Sequence, residues 1–112
     1  MRITIVQQEP VVVVAVQGSI DSLTAEPLHQ ALAAQISAGH VQLVADLCGV
    51  QYTSSAGLRT LLMTLKVCRR HGGDFRLASV QPAVLTVLSM SGFTSLLKIH
   101  RSVAEAVDSF RS

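Results

Sequence analysis

The stretch of sequence that decides the fold is VQLVADLCGVQYTSSAGLRTLLMTLKVCRRH, residues 41–71. It opens on an apolar run, Val41 to Ala45, which predicts a buried strand ending at Asp46. A link from Leu47 to Thr53 follows, and apolar residues then recur at helical spacing from about Ser55 to His71. The stripe expected to face the core consists of Leu58, Leu61, Leu62, Leu65 and Cys68. A strand, a loop and an amphipathic helix in this order predict an α/β fold.

The residues before this stretch predict two strands and a helix. Arg2 to Val6 alternates loosely, and Val11 to Val16 is a continuous apolar run rich in β-branched residues. Such a run is typical of a central strand that is buried on both faces. The helix begins between Asp21 and Thr24, because Pro27 fits only within a first turn.

After the long helix the sequence predicts a strand, a helix, a second strand and a last helix. The first three of these elements are expected at Asp74–Ala78, Pro82–Met90 and Leu96–His100. The last helix begins at the capping box Ser102 to Glu105, and its Val103, Val107 and Phe110 are expected to face inward. Strands joined by helices imply parallel neighbours, whereas the opening pair is expected to be antiparallel. The fold class is therefore α/β, a mixed, mostly parallel sheet of about five strands with about four helices, in a single domain over residues 1–112.

The composition and residue spacing exclude several kinds of protein and site. Hydrophobic residues make up 49% of the chain and charged residues 14%, which rules out a disordered tail. The net charge is +2, and the densest basic cluster, Arg69 to His71, is too small to indicate nucleic-acid binding. Cys48 and Cys68 match no metal or redox spacing, the four histidines do not pair at ligand spacing, and the glycines have the wrong spacing to cradle a phosphate. We therefore expect no metal, no cofactor and no nucleic acid.

The sequence predicts a cytoplasmic protein without membrane insertion. Met1-Arg2 is followed by too few apolar residues for a signal peptide. The longest uncharged stretch, Leu77 to Leu97, is long enough for a membrane span. Pro82 and Gly92 interrupt it, however, and favour a strand, a turn, a helix and a strand.

Candidate chemistry is concentrated where the loop meets the long helix, at residues 52–58, YTSSAGL. Capping of the helix by Ser54 or Ser55 explains one hydroxyl residue, at about 1 kcal/mol. It does not explain three in a row before Gly57, a residue that weakens a helix but lets another backbone approach closely. A phosphate here would add about 1.5 to 2 negative charges beside the positive end of the helix dipole.

A small serine hydrolase that uses Ser55 is a less favoured alternative. Residues 53–57 resemble a nucleophile elbow, but that motif needs a glycine where Thr53 stands. The downstream acid and histidine that a hydrolase requires are not evident in suitable contexts. Enzymatic activity is therefore not expected.

Two motifs of the chain resemble those of a known family. They are Val16-Gln17-Gly18-Ser19-Ile20-Asp21 and residues 45–58, ADLCGVQYTSSAGL. The first is similar to the Gly-x-(Leu/Ile)-Asp loop of the STAS domain (sulfate transporter and anti-sigma factor antagonist), and the second to its central signature. Gly72-Gly73 and Ser102 to Val107 also fit, so that the resemblance to a STAS-like domain spans nearly the whole chain.

The resemblance implies a regulator of transcription. Short members of this family are typically bacterial anti-sigma factor antagonists. The unmodified protein binds an anti-sigma factor, usually a serine kinase with an ATP-binding fold, and so frees the sigma factor. The kinase phosphorylates the signature serine, which dissociates the complex, and a separate phosphatase restores the unmodified form.

Aligned on Gly57-Leu58, the resemblance places the phosphorylated serine at Ser55. The acid that precedes this serine in the family falls on Ser54, which is therefore an alternative acceptor. The residues expected to contact the partner are Gly18, Asp21, Ser22, Thr53, Ser54, Ser55, Ala56, Gly57, Arg59 and Met63. Asp21 matches the acid of the family's first loop, and it is also suited to cap the first helix.

Arg59, one turn after Ser55, is hypothesised to pair with the phosphate in the released protein.

Two alternatives stay open. The chain could be a STAS binding subunit of a transporter or of a sensory complex, without phosphorylation. It could also self-associate as a weak homodimer.

Overall fold

The computed structural model describes residues 1–111, and its centre is a five-stranded sheet in the order β1-β2-β3-β4-β5. The strands are β1 Arg2–Gln8, β2 Val11–Gln17, β3 Gln42–Gly49, β4 Asp74–Ala78 and β5 Lys98–His100. β1 runs antiparallel to β2, and the other neighbouring pairs are parallel. The mixed, mostly parallel sheet expected from the sequence is confirmed.

Within residues 1–111, four α-helices connect or follow the strands: α1 Ala25–Ser37, α2 Ser55–Arg70, α3 Pro82–Met90 and α4 Val103–Asp108. A turn of 3₁₀ helix, Phe93–Ser95, is additional to those predicted. It delays the last strand to Lys98, because the amides of Leu96 and Leu97 both donate to the Phe93 carbonyl, at 3.0 and 2.9 Å. None of the helices found among residues 1–111 has the length and apolar character needed to cross a membrane.

The two faces of the sheet are covered by different helices. α1, α2 and α3 cover one face, where Leu61 and Phe75 belong to the larger apolar core. The short α4 covers the other face, where Val107 packs with a smaller cluster. Val12 and Val13 are consecutive residues of β2, point to opposite faces, and are 0% and 3% exposed. The prediction that this strand is buried on both faces is therefore correct.

One side of α2 differs from the predicted apolar stripe. Leu62 is only half-buried, whereas Thr60 and Thr64 are buried. The Thr64 hydroxyl donates to the Thr60 carbonyl at 2.9 Å, so that this buried polar group is satisfied within the helix itself. A pattern based on apolar residues alone could not identify the two threonines as part of the buried face.

The parallel strands place the loops of interest at one edge of the sheet. Because β2, β3, β4 and β5 run in the same direction, their carboxyl ends lie along this edge. The loop after β4 is tied to β3, since Gln81 Nε2 donates to the Cys48 carbonyl at 2.6 Å. In open α/β sheets, ligands bind outside these carboxyl ends.

A nearly buried carboxylate, Asp74, fixes the amino end of β4. Its Oδ2 accepts from Arg76 Nε at 3.0 Å, and its Oδ1 accepts from Arg69 Nε at 3.2 Å and from the Phe75 amide at 3.0 Å. Burial raises the pKa of Asp74, but these hydrogen bonds outweigh burial and hold the pKa below its usual range. The resulting stabilisation is present at neutral pH and is lost as the pH falls from the unfolded pKa towards the folded one.

We expect Asp74→Asn to lower the free energy of unfolding at pH 7 by about 2 kcal/mol, because hydrogen bonds to a charged group are lost. The variant should also lose stability less steeply below about pH 5. Urea unfolding at a series of pH values measures both effects. The control is Asp108→Asn, because the pair of Asp108 with Arg111 is exposed and should contribute less than about 1 kcal/mol. An acid limb that is unchanged in Asp74→Asn would contradict the assignment.

Candidate functional site

The loops after β2 and β3 are joined by backbone hydrogen bonds. Each bond connects a residue of one segment to the other: Gly18 N to Gly49 O at 3.0 Å, Ile20 N to Tyr52 O at 3.0 Å, and Ser54 N to Ile20 O at 2.7 Å. We call residues 18–24 and 49–55 the paired loops. Gly18 begins the first of them with a φ of +108°, a conformation that favours glycine. The two family-like motifs, although far apart in sequence, therefore form one continuous surface.

The carboxylate of Asp21 builds the turn that leads into α1. Its Oδ1 accepts from the amide of Leu23 at 2.9 Å and from that of Thr24 at 3.0 Å, while the Thr24 hydroxyl accepts from the Asp21 amide at 2.8 Å. The Leu23 amide contributes most and the Thr24 amide next to a lowered pKa of Asp21. Asp21 thus carries a negative charge at neutral pH. The N-cap of α1 is Thr24, within the range expected from the sequence, but Thr24 makes no side-chain capping hydrogen bond, and the Asp21 carboxylate holds the preceding turn instead.

The two adjacent serines have different positions. Ser54 is the N-cap of α2, and its Oγ accepts from the Gly57 amide at 3.2 Å. Ser55 is the first residue of the helix, is exposed, and makes no side-chain hydrogen bond within residues 1–111. Sequence reasoning left capping open between the two. Since Ser54 alone caps the helix, Ser55 is the hydroxyl that an approaching protein can reach freely.

We expect Ser54→Ala to lower the free energy of unfolding by about 1 kcal/mol, the usual contribution of an N-cap. Ser55→Ala should change it by less than about 0.5 kcal/mol, because an exposed side chain without a partner is removed. Urea unfolding of the two variants at neutral pH measures the difference. Equal losses in both would contradict the assignment of the cap to Ser54.

Gly57 lies where α2 touches the paired loops. A Cβ atom at this position would fall on Thr53 Oγ1 and 2.6 Å from Ile20 Cγ2. The expectation that a backbone approaches here is wrong, because the neighbours are two side chains. Gly57 is buried and Thr53 is 5% exposed. These two residues therefore support the surface from beneath and do not themselves offer a partner contact.

Other residues expected from the sequence border a groove between α1 and α2. The groove has a volume of about 270 Å³, and Ser22, Ala56, Arg59 and Met63 contribute to its lining. Ser55, Arg59 and Met63 follow one another at four-residue steps and so lie on one face of α2. Arg59 is exposed and forms no ion pair in the described part of the chain. The groove extends the paired loops along the helix.

Sequence reasoning did not identify two large exposed side chains in the paired loops. Leu23 is 84% exposed and Tyr52 is 54% exposed. Both lie in the paired loops, where their exposed side chains are not part of the buried core. Aromatic and large apolar side chains of this kind are typical anchors of protein interfaces. Their position in the turn and in the loop was visible in the sequence, but their exposure was not.

Comparison with known proteins gives the chain a family. The STAS domain family matches residues 2–106. A proposed anti-sigma factor antagonist of Bordetella bronchiseptica, BtrV, is 34% identical and is aligned over 100% of this chain and 97% of that protein. An anti-sigma factor antagonist from Mycobacterium paratuberculosis, of known structure, is 27% identical with a TM-score of 0.90, over 99% of this chain and 94% of that one. The anti-sigma factor antagonist SpoIIAA of Bacillus, in its unphosphorylated form, shares the fold at 18% identity and a TM-score of 0.86, over 98% and 96% of the two chains. With the two motifs side by side in a fold of this kind, the chain belongs to the STAS domain family.

Proposed function

We propose that this chain is an anti-sigma factor antagonist that binds an anti-sigma factor of the serine kinase type. The names of its relatives support the general role. The surface of the paired loops supports binding, because Leu23 and Tyr52 are large and exposed there, and Ser22 of the same loops borders the groove between α1 and α2. Docking would bury these side chains and release the sigma factor from its inhibitor, in the cytoplasm where the kinase and ATP are found.

Phosphorylation of Ser55 ends the interaction in this proposal. The single observation that carries it is that Ser54 is engaged as the cap while the Ser55 hydroxyl is exposed and unbonded within residues 1–111. A phosphate on Ser55 adds about 1.5 to 2 negative charges at the centre of a docking surface. Burial of this charge without a partner costs several kcal/mol, which dissociates a complex of moderate affinity.

Arg59 holds the phosphate in the released protein. It lies four residues after Ser55 on the same helix, where side chains are neighbours. Because Arg59 forms no ion pair within residues 1–111, it is available for a charge-assisted hydrogen bond to the phosphate. We expect phosphorylation of Ser55 to raise the free energy of unfolding less in Arg59→Ala than in the unaltered chain.

The chain acts by binding and not by catalysis. Within the described residues, the Ser55 hydroxyl has no hydrogen-bonded base of the kind that activates a nucleophilic serine. Removal of the phosphate is therefore assigned to a separate phosphatase. The adjacent hydroxyl, on Ser54, accepts a hydrogen bond from the Gly57 amide and so caps the helix.

The test is incubation of the chain with a serine-kinase anti-sigma factor from the same organism and MgATP, followed by mass spectrometry. We expect one phosphate, on Ser55, in the unaltered chain and in Ser54→Ala, and none in Ser55→Ala. Phosphate on Ser54, or none at all, would contradict the proposed switch. Purification together with a membrane transporter subunit, without any phosphate, would favour a STAS subunit of a transporter instead.

A further inference from the structure

A larger groove lies along β5, away from the lining of the groove between α1 and α2. It has a volume of about 880 Å³ and is bordered by β5, α3 and the 3₁₀ turn. Leu85 of α3 and Leu96 after the turn are 40% and 44% exposed, and Val80 and Ile99 add half-buried apolar surface. The volume is within the range of small-molecule sites, which are also largely apolar.

The charged side chains around this groove all carry the same sign. Arg69, Lys98 and Arg101 line it, and no carboxylate of residues 1–111 does. Asp74, which pairs with two of the groove's cations, is already bonded to Arg69 and Arg76, and Lys98 Nζ lies 4.0 Å from it. A single carboxylate thus faces three cations, which leaves an excess of positive charge. Arg101 is exposed and forms no ion pair within residues 1–111.

Two observations at the carboxyl end of β5 indicate an unfilled polar site. Nε2 of His100 is buried and has no hydrogen-bond partner among the described residues. Buried polar atoms normally have a hydrogen-bond partner, so that a buried nitrogen without one indicates a place where a ligand could supply it. Ser79, which also lines the groove, has a φ of +56°, a left-handed conformation that is uncommon outside glycine and that clusters at functional sites. Its amide donates to the His100 carbonyl at 3.1 Å, which brings the two residues together.

We propose that this groove binds a small amphipathic anion, a carboxylate on an apolar chain. The chain of the ligand would lie against Leu85 and Leu96, and its carboxylate would lie at the end lined by His100 and Arg101. A peptide bound as an added strand is less suited to the site, because β5 offers only three strand residues. The proposal is separate from the proposed function, since none of these residues lines the groove between α1 and α2.

Dodecanoate, titrated calorimetrically below its micelle concentration, is the probe. We expect saturable binding of one molecule per chain, and no binding of acetate, which lacks the tail, or of dodecyltrimethylammonium, which reverses the charge. Leu85→Gln and Arg101→Gln should each weaken binding at least tenfold. Met90→Gln, on the same helix but 84% exposed and outside the groove, and Arg2→Gln, on β1, should change the affinity less than twofold.

Three results would overturn the proposal. The first is the absence of saturable dodecanoate binding. The second is equal binding of dodecyltrimethylammonium, which would mean that the positive charge selects nothing. The third is an unchanged affinity in both Leu85→Gln and Arg101→Gln, with far-ultraviolet circular dichroism showing that the variants are folded.

Discussion

Ser55→Asp is expected to bind the anti-sigma factor at least tenfold more weakly than the unaltered chain, a loss of about 1.4 kcal/mol or more. The reason is the surface on which the change occurs. Ser55 is exposed at the start of α2, and the large, exposed side chains of Leu23 and Tyr52 belong to the same paired loops. A complex that buries these side chains also removes water from the new carboxylate. An unpaired charge in such a place is costly, whereas the original hydroxyl is not.

The stability of the same variant should move in the opposite direction. A negative charge in the first turn of a helix is favoured by the helix dipole, typically by about 0.3 to 1 kcal/mol at low ionic strength. Ser55→Asp should therefore unfold at the same or a higher temperature while it binds less tightly, which separates loss of binding from loss of fold. Ser89→Asp, which adds the same charge at an exposed position of α3, should bind as the unaltered chain does. Equal affinity of Ser55→Asp and Ser89→Asp would count against the switch.

Ser55→Ala completes this comparison. Because its side chain neither adds a charge nor accepts a phosphate, we expect it to bind the anti-sigma factor in the presence of MgATP as well as in its absence. The unaltered chain should be released over time under the same conditions. A surface-plasmon or fluorescence binding assay with and without ATP measures both.

Ser54 caps the helix and Ser55 is the proposed phosphate acceptor, so that the proposed switch acts through a change of charge. Since the cap of α2 belongs to Ser54, a phosphate on Ser55 does not break the bond from Ser54 Oγ to the Gly57 amide. The helix dipole favours the added charge, so that the modified helix has no reason to unwind. In the proposed switch, the affinity for the partner therefore falls because the charge of the surface changes, while the backbone of that surface stays in place.

The fold could be predicted because its signals are periodic and redundant. Val11 to Val16 is apolar at every position, which fits only a strand covered on both sides, and both clusters of the core include residues from it. Pro27 and Pro82 restrict where two helices begin, and Gly72-Gly73 ends a third. Each of these constraints depends only on residues close together in the sequence, so that the sequence alone is sufficient to predict these helices and strands.

The parts that could not be predicted depend on contacts between distant residues. No property of the sequence decides between two adjacent serines as the cap; the bond from Ser54 N to the Ile20 carbonyl holds Ser54 in the extended conformation that capping requires. The exposure of Leu23 likewise depends on the turn made by Asp21. Thr60 and Thr64 are buried because the neighbouring helix covers them, and not because they are hydrophobic.

Gly57→Ala is expected to lower the free energy of unfolding by about 1 to 2 kcal/mol, although alanine is the better helix former. Overpacking a tight site costs about 1 to 3 kcal/mol, and the gain from replacing glycine within a helix is at most about 1 kcal/mol. The added Cβ would meet Thr53 Oγ1 and Ile20 Cγ2, both of which belong to the paired loops. Thermal unfolding should shift downward by roughly 5 °C. Phosphorylation of Ser55 by the kinase should slow, because the loop and the helix start are forced apart.

A double-variant cycle can tell crowding at this contact from a general weakening of α2. Thr53→Ala removes the hydroxyl oxygen that the new Cβ would meet, while Ile20 Cγ2 stays. Gly57→Ala should therefore be less destabilising in the Thr53→Ala background than in the unaltered chain, by at least about 0.5 kcal/mol, the usual lower limit of coupling between touching residues. Additive losses would mean that the contact is not the cause. A partial rescue would instead establish that Gly57 is required by the side chains packed beneath Ser55, and so tie the glycine of the signature to the geometry of the surface that carries the serine.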